Sequence, residues 1–190
     1  YSKTLELEVA GVPHVFAWGG LHGAIPKYHG EGWFVNVDVA SYYPSLMLVY
    51  KWLSRNVHDP SKYAEIYHTR LKLKAEKNPM QQPYKIVLNS TYGAMKDKHN
   101  AMYDPRQANN VCVGGQLLLL DLIERLEDHC EIIQSNTDGI LVKLRRYEDF
   151  EMLDDLCWEW EQRTGMRLEF DEFQKVYQKD VNNYLIVPAG

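Results

Sequence analysis

The chain has 190 residues, 45% hydrophobic and 25% charged, a globular balance that excludes a disordered segment and is enough for one domain or a core with one subdomain. Apolar runs such as Leu117 to Leu120 fall far short of the roughly 20 residues that a membrane-spanning helix needs. The net charge of −5 counts against a nucleic-acid binder when taken alone, yet it is compatible with a local basic stripe or a carboxylate-built metal site.

In chain order, short β-like runs come first: Leu5 to Val9, Val15 to Ala17 and Trp33 to Val37, broken up by Gly19, Gly20, Gly23, Gly30 and Gly32. Phe34 to Asp38 alternates and reads as a strand ending on an Asp, and Pro44 then stands near the start of a helix from Ser45 to Lys51. Asp59-Pro60-Ser61 opens a helix to about Lys77, with an exposed basic face of Arg70, Lys72, Lys74 and Lys77. A partner helix runs from about Gln82 to Met95, and a third occupies 106–129, with Leu118, Leu119, Leu122, Ile123 and Leu126 at helical spacing.

A hairpin follows. Glu131 to Gln134 and Ile140 to Leu144 flank Asn136-Thr137-Asp138-Gly139, in which Asn, Asp and Gly tolerate the positive φ of tight turns. Glu148 to Gln162 is an amphipathic helix, and Arg167 to Phe170 and Tyr184 to Val187 are strand-like. This order predicts an α+β fold, with helices on one face of an antiparallel sheet.

Three cysteines, Cys112, Cys130 and Cys157, are far apart and odd in number, which argues for a reducing compartment; a cytoplasmic location is expected. No leader peptide opens the chain, and without an initial Met it reads as a piece of a longer protein. The histidines form no ligand spacing, and the five Trp residues are expected in the core.

Two carboxylates stand in unusual places, Asp38 at the end of an apolar strand and Asp138 in a tight turn. Either alone is ordinarily a cap or turn residue. Their surroundings change the odds. Asp38-Val39-Ala40-Ser41-Tyr42-Tyr43-Pro44-Ser45 resembles the first palm motif of family B DNA polymerases, D-x-x-S-L-Y-P-S, with Tyr42 in place of Leu. Five fixed positions agree, a coincidence expected about once in millions of positions at ordinary residue usage. Lys85-Ile86-Val87-Leu88-Asn89-Ser90-Thr91-Tyr92-Gly93 resembles the second motif, K-x-x-x-N-S-x-Y-G. Asn136-Thr137-Asp138-Gly139 occupies the place of the third, D-T-D-S, with Asn for the first carboxylate. Gly30-Glu31-Gly32 and the short helical hairpin look most like the protein-primed phage members.

The resemblance implies a palm at 1–58 and 96–190 and a fingers hairpin at 59–95, with exonuclease and thumb outside this chain. It implies template-directed addition of dNTPs to a primer 3′-hydroxyl, with Mg²⁺ or Mn²⁺ held by Asp38, Asp138 and the backbone carbonyl of Val39. It places the triphosphate against Arg70, Lys74, Lys85 and the backbone N–H groups of Ser41, Tyr42 and Tyr43. Tyr43 becomes the gate against ribonucleotides, with Asn89 and Tyr92 lining the nascent base pair and Gly93 letting the template base approach. Lys179 and Tyr184 correspond loosely to a primer-gripping K-x-Y element, with Asn182 where the nearer Lys is usual, and a plain strand edge explains them equally well. Glu169, Asp171 and Glu172 are candidates for an outer metal contact. The implied partners are primer-template DNA, dNTPs and a terminal protein or other replication proteins. Two rivals stay open. Asn136, the acidic charge and the lack of a thumb suit a non-catalytic polymerase-like module, and paired carboxylates also serve two-metal nucleases. Against the nuclease stands the Arg70, Lys74 and Lys85 array, since hydrolysis has no triphosphate to hold.

Overall fold

The computed structural model describes residues 3–180 and 182–189; Tyr1, Ser2, Val181 and Gly190 lie outside the described residues. The fold is α+β; the described residues form an antiparallel sheet of eight strands together with five α-helices. Two compact units make it up, one of Tyr1–Ala40 with Val113–Gly190 and one of Ser41–Cys112.

The first unit holds the whole sheet. Its strands are β1 (Leu5–Val9), β2 (Val12–Ala17), β3 (Gly20–Ala24), β4 (Tyr28–Val39), β5 (Glu131–Ser135), β6 (Gly139–Leu144), β7 (Leu168–Asp180) and β8 (Asn183–Pro188). They lie in the order β1-β2-β3-β5-β6-β4-β7-β8, so β4 is central between β6 and β7. Alternation on β4 explains its burial. Val35, Val37 and Val39 are buried on one face, and Phe34 is buried on the other with Ile133, Leu141 and Val176. Toward its C-terminal end that second face opens, leaving Asn36 and Asp38 half-buried.

β4 is much longer than the apolar run at Trp33–Val37 predicts, and Gly30 and Gly32 lie inside it. Glycine there breaks the register and not the strand: pairing with β7 shifts between Glu31 and Phe34, a bulge. β3 and the continuation of β7 beyond Phe170 were not foreseen either, because Gly20 and Gly23 read as breakers and Asp171–Lys175 is mostly polar.

α4 (Pro105–Leu126) begins in the second unit and ends in the first, where Leu119, Leu122, Ile123 and Leu126 are fully buried. α5 (Phe150–Thr164) buries Leu153, Cys157 and Trp160, and the Trp160 indole N–H donates to the Leu118 carbonyl (3.0 Å). Gly165, with φ 75°, ends α5 in the left-handed conformation that glycine takes without strain. Trp160 alone among the tryptophans is fully buried; Trp18, Trp33 and Trp158 are exposed, contrary to the expectation of a core role. No helix among the described residues is long and apolar enough to cross a membrane.

The second unit is helical: α1 (Tyr42–Val49), α2 (Pro60–Ala75), α3 (Gln81–Lys96) and the first turns of α4. Asp59 caps α2 by accepting from the Ser61 N–H (3.1 Å), and Pro60 occupies the first helical position, where its missing donor costs nothing. The Tyr63 hydroxyl donates to the Leu88 carbonyl (3.1 Å) and ties α2 to α3. Asp104 sits just before α4, almost fully buried, and accepts from the Arg55 Nε (3.0 Å), Nη2 (2.9 Å) and backbone N–H (3.0 Å). The Arg55 side-chain bonds hold the Asp104 carboxyl down at about 2. A carboxyl depressed in the folded state contributes stability above its ordinary value of 3.8 and loses that contribution as pH falls toward 2. Asp104→Asn is therefore expected to cost about 2 kcal/mol at neutral pH. The urea midpoints of variant and parent should converge near the acid end; a gap independent of pH would refute this account.

Candidate active site

The carboxylates collect at one end of the sheet. Asp38 pairs with Gly139 on β6 and with Glu169 on β7, and Asn36 pairs with Leu141 and Asp171. Directly opposed residues share a face, so Asp38, Glu169 and Asp171 point to the same open side. Glu172 pairs with Val35 and faces the other way, which removes it from the group. The Asn36 amide donates to Asp38 Oδ2 (2.7 Å), fixing the rotamer of that carboxylate.

Asp138 reaches the same end through the β5–β6 turn. Asn136 N–H donates to the Gly139 carbonyl (2.8 Å) and closes it, and Val39 N–H donates to the Asp138 carbonyl (2.7 Å). That second bond locks the exposed Asp138 beside the end of β4. The Asp38 carboxylate lies over Gly139, where a Cβ would overlap it and would also stand 3.1 Å from the Val37 carbonyl. Glycine at the position where the resembling motif has Ser thus gives Asp38 its room. Among the described residues no group of three or more His, Cys, Asp or Glu side chains converges as a ready-made metal cage. The arrangement is an open row of carboxylates, with all-oxygen donors of the kind that hard divalent cations prefer.

In the second unit, Ser41 precedes α1 in a left-handed conformation (φ 47°, ψ 55°) rare outside glycine and costing about 1–3 kcal/mol. Its hydroxyl accepts from the Arg70 Nη1, and Arg70 Nε donates to Gln81 Oε1 (3.2 Å). Arg70 is only 6% exposed, so it does not belong to the solvent-facing basic stripe expected of α2. One guanidinium instead links α2, the start of α3 and the residue before α1. Lys74, one turn on, is half-buried, whereas Lys72, Lys77 and Lys85 are exposed. Tyr42 is buried and Tyr43 half-buried in the first turn of α1, where backbone N–H groups have no acceptor within the helix.

The Tyr43 ring meets the Tyr92 ring edge to face (centroids 4.7 Å apart), and burial pushes both phenols up. The Tyr92 hydroxyl is buried without a conventional hydrogen-bond partner; the Cys112 thiol beside it is a weak one at best. Lys96 Nζ lies 4.6 Å above the Tyr92 ring. Asn89 is exposed on α3, and a Cβ at Gly93 would meet no other atom within 4 Å, so nothing in the chain itself demands glycine there.

Lys179 and Tyr184 stand at the β7–β8 turn, both exposed, with Gln178 paired to Tyr184. Asp180 accepts from Asn182 N–H (2.9 Å) and the Asn183 amide (2.9 Å), which makes this turn. Lys27 and Tyr177 line the same shallow groove, and neither was picked out by the motif. The residues missed by sequence reasoning, Gln81 and Lys27 among them, carry no one-dimensional signal; only folding brings them to their partners.

No family model matches the chain. Over 97 residues it is 29% identical to DNA polymerase II of Escherichia coli (strain K12). That stretch is 50% of this chain but 12% of the polymerase, so the chain matches only a small part of it. The chain is thus related in sequence, over half its length, to a DNA polymerase.

Proposed function

We propose that the chain is the palm and fingers core of a family B DNA polymerase, adding dNTPs to a primer 3′-hydroxyl on a DNA template. The observation that carries this reading is the pairing of Asp38 with Gly139 on β6, which sets the Asp38 and Asp138 carboxylates at one sheet end. The similarity to a DNA polymerase supports it. In this reading 59–95 is the fingers hairpin and the remainder palm.

Asp38 and Asp138, with the Val39 carbonyl, would hold Mg²⁺ or Mn²⁺, and Glu169 opposite Asp38 would serve from outside. The ions supply activation of the attacking hydroxyl and charge neutralisation on the phosphates. Arg70, Lys74 and Lys85 would bind the triphosphate, together with the N–H groups of Ser41, Tyr42 and Tyr43 at a helix start free of acidic residues. Tyr43, wedged against Tyr92, would sit under the incoming sugar and exclude a 2′-hydroxyl. Asn89 and Tyr92 would line the nascent base pair, Gly93 would let the template base approach, and Lys179 and Tyr184 would contact the primer. A terminal protein is a further partner on the protein-primed reading.

The experiment is primer extension by the purified chain with Mg²⁺, primed template and dNTPs, beside Mn²⁺ binding in the presence of dNTP. Metal-dependent incorporation is expected, distributive in character. A second reading, a non-catalytic polymerase-like module, is favoured by Asn136 and by the open carboxylate row. Undetectable Mn²⁺ binding with dNTP present would select it.

A further inference from the structure

The turn carrying Asp138 is three residues long and is closed by one hydrogen bond of its own, Asn136 N–H to the Gly139 carbonyl. A metal-holding carboxylate must be kept within about 0.5 Å of its working position. A short exposed turn does not do that unaided. Besides the Val39 N–H bond to the Asp138 carbonyl, the structure supplies a further support from the N-terminal part of the chain.

β2 and β3 form a hairpin through a two-residue turn, with Ala17 paired to Gly20. β3 meets β5 through only two residue pairs, Gly23 with Ser135 and Ala24 with Gln134. Beyond them the Asn136–Asp138 turn lies over the start of β3. The Thr137 side chain fills the space above Gly20, where a Cβ would come within 2.6 Å of Oγ1 and 2.8 Å of Cγ2. Gly20 also has φ 129°, a conformation that other residues rarely take. The Thr137 hydroxyl lies 3.4 Å from His22 Nε2.

Two residues before Thr137, the fully buried Ser135 hydroxyl donates to His14 Nε2, while the His14 Nδ1–H donates to the Val12 carbonyl (2.8 Å). The His14 ring in turn occupies the space beside Gly23 that a Cβ would fill. Two glycines of β3 therefore each make room for a group that grips the Asp138 turn. Simple space-filling accounts for one such contact. It does not account for glycine, histidine and hydroxyl recurring at both Ser135 and Thr137, the residue before the turn and the one next to Asp138.

We infer that the β2–β3 hairpin is the seat of the Asp138 turn: Gly20 and His22 act through Thr137, and His14 through Ser135, as positioning residues for that carboxylate. The inference rests on the polymerase reading for its metal, but the seat itself is testable apart from it.

The test measures Mn²⁺ binding by the full chain with dNTP present, from the electron paramagnetic resonance of free Mn²⁺. Hydrogen exchange at the Asp138 and Gly139 amides is followed in parallel. His22→Ala and Thr137→Ala are each expected to weaken Mn²⁺ binding about tenfold and to speed exchange in the turn. Thr137→Ser, which keeps the hydroxyl, should stay near the parent. His22→Ala added to Thr137→Ala should cost nothing more, because both act through one contact. Should Thr137→Ala fail to fold, His22→Ala, at a half-buried position, carries the comparison. Parent-like Mn²⁺ affinity and exchange in His22→Ala would overturn the seat, as would additive losses in the double variant. A parent chain that binds no Mn²⁺ would overturn the polymerase reading, while faster turn exchange in His22→Ala would still uphold the seat.

Discussion

Asp38→Asn is expected to reduce primer extension about a thousandfold, close to 4 kcal/mol of lost transition-state stabilisation, while leaving the fold at least as stable. The substitution changes charge and almost nothing else. Asn fits the same space over Gly139, and its side-chain oxygen can still accept the Asn36 amide that now bonds Asp38 Oδ2. Asp38 stands directly opposite Glu169 and on the face of Asp171. Without a cation these like charges repel across the strands. Removing one should keep the thermal midpoint or raise it, so a fall in activity with a steady midpoint identifies a charge needed for function. The companion change, Asn136→Asp, adds a carboxylate to the same end, and it should tighten Mn²⁺ binding while lowering the midpoint. Single-turnover extension and thermal melts read both. Extension at the parent rate by Asp38→Asn would sink the assignment of this carboxylate.

Much of this site could be read from residue order, and the reasons are local. The strand ending at Asp38 shows in the alternation of Phe34 to Val37, and the turn at Asn136–Gly139 in its composition. The helix 60–75 follows from its Asp59-Pro60-Ser61 start, and 81–96 reads as its partner in a helical hairpin. What stayed hidden depends on register and on distant partners. Glu169 and Asp171 could be separated from Glu172 only once β7 was paired to β4. The Gly20, Gly23, Gly30 and Gly32 positions read as breaks because glycine signals turns on average. Here two of them clear space for Thr137 and His14, and the other two flank Glu31 at a bulge. His14 and Ser135 are 121 residues apart, a separation no spacing rule covers. Arg70 looked exposed because α2 carries other cations nearby, yet it faces Ser41 and Gln81.

Arg70→Lys is expected to be nearly as damaging as Arg70→Ala, and that equivalence distinguishes a shaped guanidinium from a mere positive charge. The guanidinium reaches Ser41 Oγ through Nη1 and Gln81 Oε1 through Nε, two directions fixed by one planar group. An ammonium is a single point and cannot span both. Ser41 Oγ and Gln81 Oε1 are neutral acceptors, and a charged phosphate oxygen makes a hydrogen bond to the guanidinium about twice as strong as either. The neutral partners then act as a rest that holds the side chain extended before a nucleotide arrives. Ser41 keeps its left-handed backbone (φ 47°) partly through this bond, so losing Arg70 should also loosen the start of α1, where Tyr42 and Tyr43 sit. On this argument Arg70→Lys and Arg70→Ala both lower kcat/KM for dNTP about a hundredfold, mainly through a raised KM. The melting midpoint should fall in both, since Arg70 is buried and its partners would be left unsatisfied. A lowered midpoint with an unchanged dNTP KM in both variants would make Arg70 a structural tie only and move the triphosphate away from it.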